Sequence, residues 1–367
     1  PFCSVGKRIA HCQNPLQGYE SITPNGIDII IPASKIALKC TASLKGSRGK
    51  ILYSTGSVTK LNYVQRKAGN VAATEHNIGA LVVDSRVSPA IIRQLELMPD
   101  SHGFYDENRF YTVLGSDTAH PEVLQFGDIH AEKMTRENLD KMCKLIEKYK
   151  PAHIMAHDIC DFSSRNHHNV KNAAFMFSQT VQGNTVAGDI TRVAEVLDDL
   201  STFTDYDDSR GVIHIIESNH DLAINTWLNN MDFKQDPINA LTYLTCMRAH
   251  YEYIQDNGGD TDFNMLEFTL REIGGLNDPE TFIFHKTDES VIIAGVEHGC
   301  HGHTGVNGSR GSPTQCRGLG VAMNTGHTHT PSICGKVYTA GVSASLEMGY
   351  NIGASSWQLA NILTYSN

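Results

Sequence analysis

Five short segments hold the side chain types from which divalent metal centres are built: Gly127-Asp128-Ile129-His130, His157-Asp158-Ile159-Cys160-Asp161, Ser218-Asn219-His220-Asp221, His301-Gly302-His303 and Gly326-His327-Thr328-His329. A mixed set of His, Asp and Asn donors suits Mn²⁺, Fe²⁺ or Zn²⁺ better than Mg²⁺ alone, because imidazole favours the transition metals. A single D-x-H or H-x-H is a common coincidence, but five such segments in chain order point to one dinuclear site. In an extended chain residues i and i+2 face the same way. Asp128 with His130, and His327 with His329, can therefore each bring two donors to one cavity. Adjacent residues face apart, which lets Asn219 turn to a metal while His220 meets the substrate as a proton donor. Asp158 and Asp161, three apart at a turn, allow one carboxylate to bridge two ions and the other to orient a neighbouring imidazole.

The segments need a rigid frame, and the surrounding pattern supplies one. A strand expected over residues 110–126 runs into Gly127. Thr135 can cap a helix whose apolar face is Leu139, Met142, Ile146 and Tyr149. A strand at 152–156, a helix at 189–200 and the strand Val212–Ile216 follow. This alternation is that of parallel crossover units, which place ligand sites at the carboxyl ends of their strands. A further helix is expected at 238–254, with Leu241, Leu244, Met247, Tyr251 and Ile254 in register, then strands at 281–285, 291–296, 336–344 and 361–365. Ahead of this body, residues 1–108 read as a small β-rich region, with a short helix at 89–98 from the spacing of Ile91, Ile92, Leu95 and Leu97. The boundary is placed there, giving regions 1–108 and 109–367. His214, His250 and His285 fall inside elements and are expected to be packing or surface residues.

Charge divides the chain in the same way. The 367 residues have a net charge of −10, but the first 67 carry ten cations against Glu20 and Asp28, leaving the remainder strongly acidic. A basic module beside a histidine-rich body suggests a grip on a polyanion. Nine cysteines without C-x-x-C spacing suggest neither a thiolate zinc site nor a disulfide framework, and fit a reducing cytosol. No apolar run approaches the roughly 20 residues that span a bilayer, and no signal peptide pattern is seen, so a cytoplasmic protein without membrane contact is expected.

In order and spacing the five segments resemble the calcineurin-like metallophosphoesterase superfamily, whose pattern D-x-H, G-D-x-x-D, G-N-H-D/E, H, G-H-x-H is matched over roughly residues 110–345. The stretch His301-Gly302-His303 through Ser312 and the stretch from Tyr350 to Trp357 resemble phage-encoded members of the nuclease branch. The resemblance implies a sandwich of two mixed β-sheets flanked by helices. It implies that Asp128, His130, Asp158 and His329 hold one metal, and that Asp158, Asn219, His301 and His327 hold the other. It further implies a bridging hydroxide nucleophile, His220 as general acid and Asp161 orienting it. His301 is chosen over His298 and His303 within 296–303. Where the pattern has glycine this chain has His157 and Ser218, so both turns are expected to strain Cβ-bearing residues. Arg165, His167, His168 and Arg310 are expected phosphate contacts. The implied activity is Mn²⁺-dependent hydrolysis of DNA, with Fe²⁺, Zn²⁺ or Mg²⁺ as other cations, in the host cytoplasm if the protein is phage-encoded. Homo-oligomerisation and an accessory protein are further expected partners. A phosphomonoesterase or protein phosphatase of the same fold, and a non-catalytic scaffold, are the alternative readings.

Overall fold

A computed structural model describes residues 14–86, 90–98, 100–166, 169–206, 209–287, 289–349 and 351–366, together with the backbone of the strand Phe2–Ser4. Its centre is a five-stranded sheet in the order Phe282–His285, Val212–Ile216, His153–His157, Val123–Gln125, Ile362–Thr364. The first four strands run parallel and the last is antiparallel. Side chains alternate across this sheet with period two. Leu124, Ile154, Ala156, Ile213 and Ile215 face a layer of helices, while Val123, Met155 and Ile216 pack on Val291 on the other side.

The helix Arg136–Tyr149 begins where the Thr135 hydroxyl accepts the Asn138 amide, and it buries Leu139, Met142, Ile146 and Tyr149 as its spacing predicts. The helix Val186–Ser201, capped by Thr185, covers the sheet beside it through Ile190, Val193, Leu197 and Leu200. Fully burying one such aliphatic side chain is worth about 1.5–3 kcal/mol, so these two stripes anchor the frame from which the site loops project.

A second, nine-stranded sheet is mixed. It runs Phe2–Ser4, Asp28–Ile31, Ile51–Ser54, Ala37–Cys40, Ser332–Cys334, Val337–Thr339, Met323–Thr325, Val296–Glu297, Ile292–Ile293. Ala37–Cys40 pairs antiparallel with Ser332–Cys334, so the sheet crosses the boundary drawn at residue 108 and joins the basic region to the body. Part of the positive charge there is held in ion pairs. Lys35 pairs with Glu75, Lys39 with Glu20, Lys45 with Glu347 and Arg48 with Asp28. Lys50 is buried with its ammonium on the Thr23 carbonyl.

Three local expectations are corrected. The strand expected over 110–126 divides into a hairpin, Arg109–Thr112 and Gly115–Thr118, followed by Val123–Gln125. The helix expected at 89–98 is the strand Ile91–Glu96, which pairs with Gly79–Asp84. The helix Ala240–Asp256 forms, but its apolar register leaves Leu241 80% exposed and buries only Cys246. Among the described residues no helix is long and apolar enough to cross a membrane.

Candidate metal centre

Three adjacent parallel strands of the five-stranded sheet deliver the first three segments from their carboxyl ends, and the second sheet delivers the other two. Gly326–His329 follows the strand Met323–Thr325, and His301 follows Val296–Glu297; those two strands are parallel neighbours. Past the strand ends the parallel ladder continues for one turn. The amides of Ile129, His130 and Ala131 donate to the carbonyls of His157, Asp158 and Ile159.

The backbone at these ends is not extended. His130, Asp158, His327 and His329 have φ of 40°, 43°, 69° and 53°, the left-handed region that costs a residue with a Cβ roughly 1–3 kcal/mol. The i, i+2 pairs thus converge through left-handed turns and not through the pleat expected of them. His157 and Ser218, which stand where the resemblance has glycine, are outside that region, and the strain falls on Asp158 instead. Gly326 is required for space. A Cβ there would lie 2.2 Å from Asp128 Oδ1 and 3.3 Å from His301 Nδ1.

Donor atoms meet in two arcs that share Asp158. In the first, His329 Nε2 lies 3.1 Å from Asp128 Oδ2 and 3.0 Å from His130 Nε2, and His130 Nε2 lies 3.8 Å from Asp158 Oδ2. One donor atom from each of Asp128, His130, Asp158 and His329 falls within 4.8 Å of the others. In the second arc His301 Nε2 lies 3.2 Å from Asp158 Oδ2, the His301 and His327 rings are 5.3 Å apart, and His327 Nδ1 is 3.1 Å from Asn219 Oδ1. Asp161 Oδ1 sits between His130 Nδ1 at 3.5 Å and His220 Nδ1 at 3.6 Å. The side chains of Asp128, His130, Asp158 and His301 are at most 1% exposed, whereas His220 is 15% exposed and forms the open edge.

Carboxylates and imidazoles in this cluster shift one another strongly. Burial alone would raise the Asp158 carboxyl, but the facing imidazoles, His301 first, hold it well below the usual range. Burial alone would lower the His301 imidazole, yet Asp158 and Asp128 push it up to about 9. Asp128 Oδ1, Asp158 Oδ2, Asp161 Oδ1, His329 Nδ1 and both nitrogens of His301 are buried without a hydrogen-bond partner. Buried polar atoms are normally paired, so this set of orphaned donors fits divalent cations. His220 is lowered by burial, an effect opposed by Asp158 and Asp161.

The remaining expected residues divide. Arg165, expected at a phosphate, is corrected: it is 1% exposed and closed in a fork on Asp236, with Nε and Nη2 each 2.7 Å from a carboxylate oxygen. Arg310 is exposed on the loop that follows His301. His167 and His168 lie outside the described residues. His298 hydrogen-bonds Gln125 at 3.3 Å and not an acidic donor, while the His303 ring lies 5.5 Å from that of His301. Sequence reasoning missed Trp357 as a neighbour of the site; its ring meets that of His329 edge-on at 4.2 Å. It also missed a chain of imidazoles across the sheet: His153 to His214 at 3.0 Å, His214 to His285 at 2.9 Å and His285 to Glu289 at 3.0 Å. Their positions in adjacent strands were the only signal available.

Fold and site together define a mixed α/β protein with a buried His/Asp cluster able to hold metal. No family model matches the chain, and neither does any solved structure. It is similar to Protein A1 of Escherichia phage T5, with 43% identity over 372 aligned residues that cover 96% of this chain and 64% of that protein. The chain thus spans less than two thirds of the length of this curated relative.

Proposed function

We propose that the chain is a metal-dependent deoxyribonuclease of the calcineurin-like metallophosphoesterase type, with Asp128, His130, Asp158 and His329 holding one divalent cation and Asp158, Asn219, His301 and His327 a second. The observation that carries the reading is the pair of arcs sharing Asp158 Oδ2, beside a more exposed His220. Cations bound there, Mn²⁺ foremost, supply Lewis acidity and an activated water to phosphodiester hydrolysis. The protein's own residues do the rest. Asp161, beside His220 Nδ1, orients the imidazole and favours its charged form. His220, at the open edge, delivers the proton that the departing ribose oxygen needs. DNA is the substrate that the resemblance to phage-encoded nucleases implies, and the similarity to a phage protein fits that origin. Ion pairs of Lys35, Lys39 and Arg48 occupy part of the positive charge of the basic region, which favours the second reading, a phosphomonoesterase, while Lys60, Arg66 and Lys67 stay exposed and suit a polyanion.

The test offers linear DNA, circular DNA and a generic phosphomonoester to the purified protein with Mn²⁺ or with EDTA. Metal-dependent loss of DNA is expected. His220→Ala should keep its metal and lose most turnover, whereas Asp158→Ala should lose metal. Monoester turnover alone selects the phosphatase, no turnover of any substrate selects the scaffold, and full activity in both variants refutes the mechanism.

A further inference from the structure

Where the resemblance has a glycine, Ser218 contributes a hydroxyl that sits between two buried carboxylates. Its Oγ donates to Asp158 Oδ1, and it lies 2.7 Å from Asp221 Oδ2. Asp221 in turn accepts the Ser218 amide at 3.1 Å through Oδ2 and the Cys160 amide at 3.0 Å through Oδ1. Ser218 is fully buried and Asp221 is 2% exposed. These bonds join the loop that carries Asp158 and Asp161 to the loop that carries Asn219 and His220.

The join also decides which oxygen of Asp158 is available. Oδ1 accepts from the Ser218 hydroxyl and from the His220 amide at 3.3 Å. Oδ2 has no hydrogen-bond partner and faces His130 and His301, one from each arc. A carboxylate on a left-handed residue, with nothing holding Oδ1, could turn about its χ angles and present either oxygen. With Oδ1 engaged, only the orientation that offers Oδ2 to both arcs is satisfied.

We propose that Ser218 and Asp221 are positioning residues that lock Asp158 with Oδ2 toward both cations and fix the spacing of the two site loops. The proposal rests on the metal reading of the site. Partners that orient a ligand in this way typically change metal affinity by about 10–100-fold when removed.

The experiment titrates Mn²⁺ into the full chain and into Ser218→Ala, reading affinity by calorimetry, the electron paramagnetic resonance signal of bound Mn²⁺, and the melting temperature in EDTA. The expected result is a Mn²⁺ dissociation constant raised about tenfold, an altered resonance signal, and a metal-free melting temperature close to that of the parent. Asp221→Asn tests the same join from its other end and should weaken Mn²⁺ binding in the same direction; it decides the matter if Ser218→Ala fails to fold. A parent chain that takes up no Mn²⁺ overturns the metal reading and this proposal with it. Parent uptake with an unchanged constant in a folded variant overturns this proposal alone, as does weakening matched by an equal loss of metal-free stability.

Discussion

Replacing Arg165 with methionine separates a structural role from a phosphate-binding one. The guanidinium is buried and grips Asp236 with two bonds of 2.7 Å, and Asn239 donates to the same carboxylate at 2.9 Å. Burial alone would raise the Asp236 carboxyl, and the Arg165 fork holds it down. Arg165→Met therefore strands a buried carboxylate, a loss that runs to about 3–5 kcal/mol. A chain of this size has an unfolding entropy near 0.8 kcal/mol/K, which converts that loss to a fall of about 4–6 °C in melting temperature. Thermal unfolding followed by circular dichroism measures it. Removing both charges, Arg165→Met with Asp236→Leu, should recover most of the loss, because no charge is then left alone. On the proposed nuclease reading, KM for DNA in the folded variant should stay at the parent value. An unchanged melting temperature with a raised KM would refute the argument, since it would mean that the guanidinium leaves Asp236 to serve the substrate.

Two further outcomes follow from the geometry. Gly326→Ala places a methyl 2.2 Å from Asp128 Oδ1 and must turn that carboxylate aside, so calorimetry should show Mn²⁺ affinity reduced by about 100-fold; parent-like affinity would show that the loop yields instead. Burial first, then His153 and His285, press the His214 imidazole from 6.5 down to about 3. The fold keeps it neutral while the unfolded chain protonates near pH 6.5. Its contribution to stability is therefore complete above that pH and is lost as pH falls toward 3, by about 2 kcal/mol at pH 5. Urea midpoints at pH 7.5 and pH 5 should differ less in His214→Gln than in the parent, and an equal difference would count against the buried imidazole as the cause.

Elements whose signals are local were legible in the sequence. Thr135 and the four apolar positions after it define the helix Arg136–Tyr149, because a cap and a stripe at 3.6-residue spacing need nothing from the rest of the chain. Residues 89–98 were not legible. A short apolar run fits helix or strand, and pairing with Gly79–Asp84 makes Ile91–Glu96 a strand. In Ala240–Asp256 the spacing gives the helix correctly but not its cover, since periodicity marks an apolar face without saying what packs on it.

The sequence by itself determined the donor inventory. Asp128, His130, Asp158, Asn219, His301, His327 and His329 stand in short segments beside strands, and side chain chemistry alone restricts what such a set can bind. Only the tertiary structure decided that two sheets deliver these segments to one place, that Asp158 turns a single oxygen toward both arcs, and that Arg165 belongs to the core. Those outcomes depend on contacts between residues tens to hundreds of positions apart, such as Ser218 with Asp158 and Asp128 with His329. Such contacts arise from packing and hydrogen bonding across the assembled fold, and spacing along the chain does not encode them.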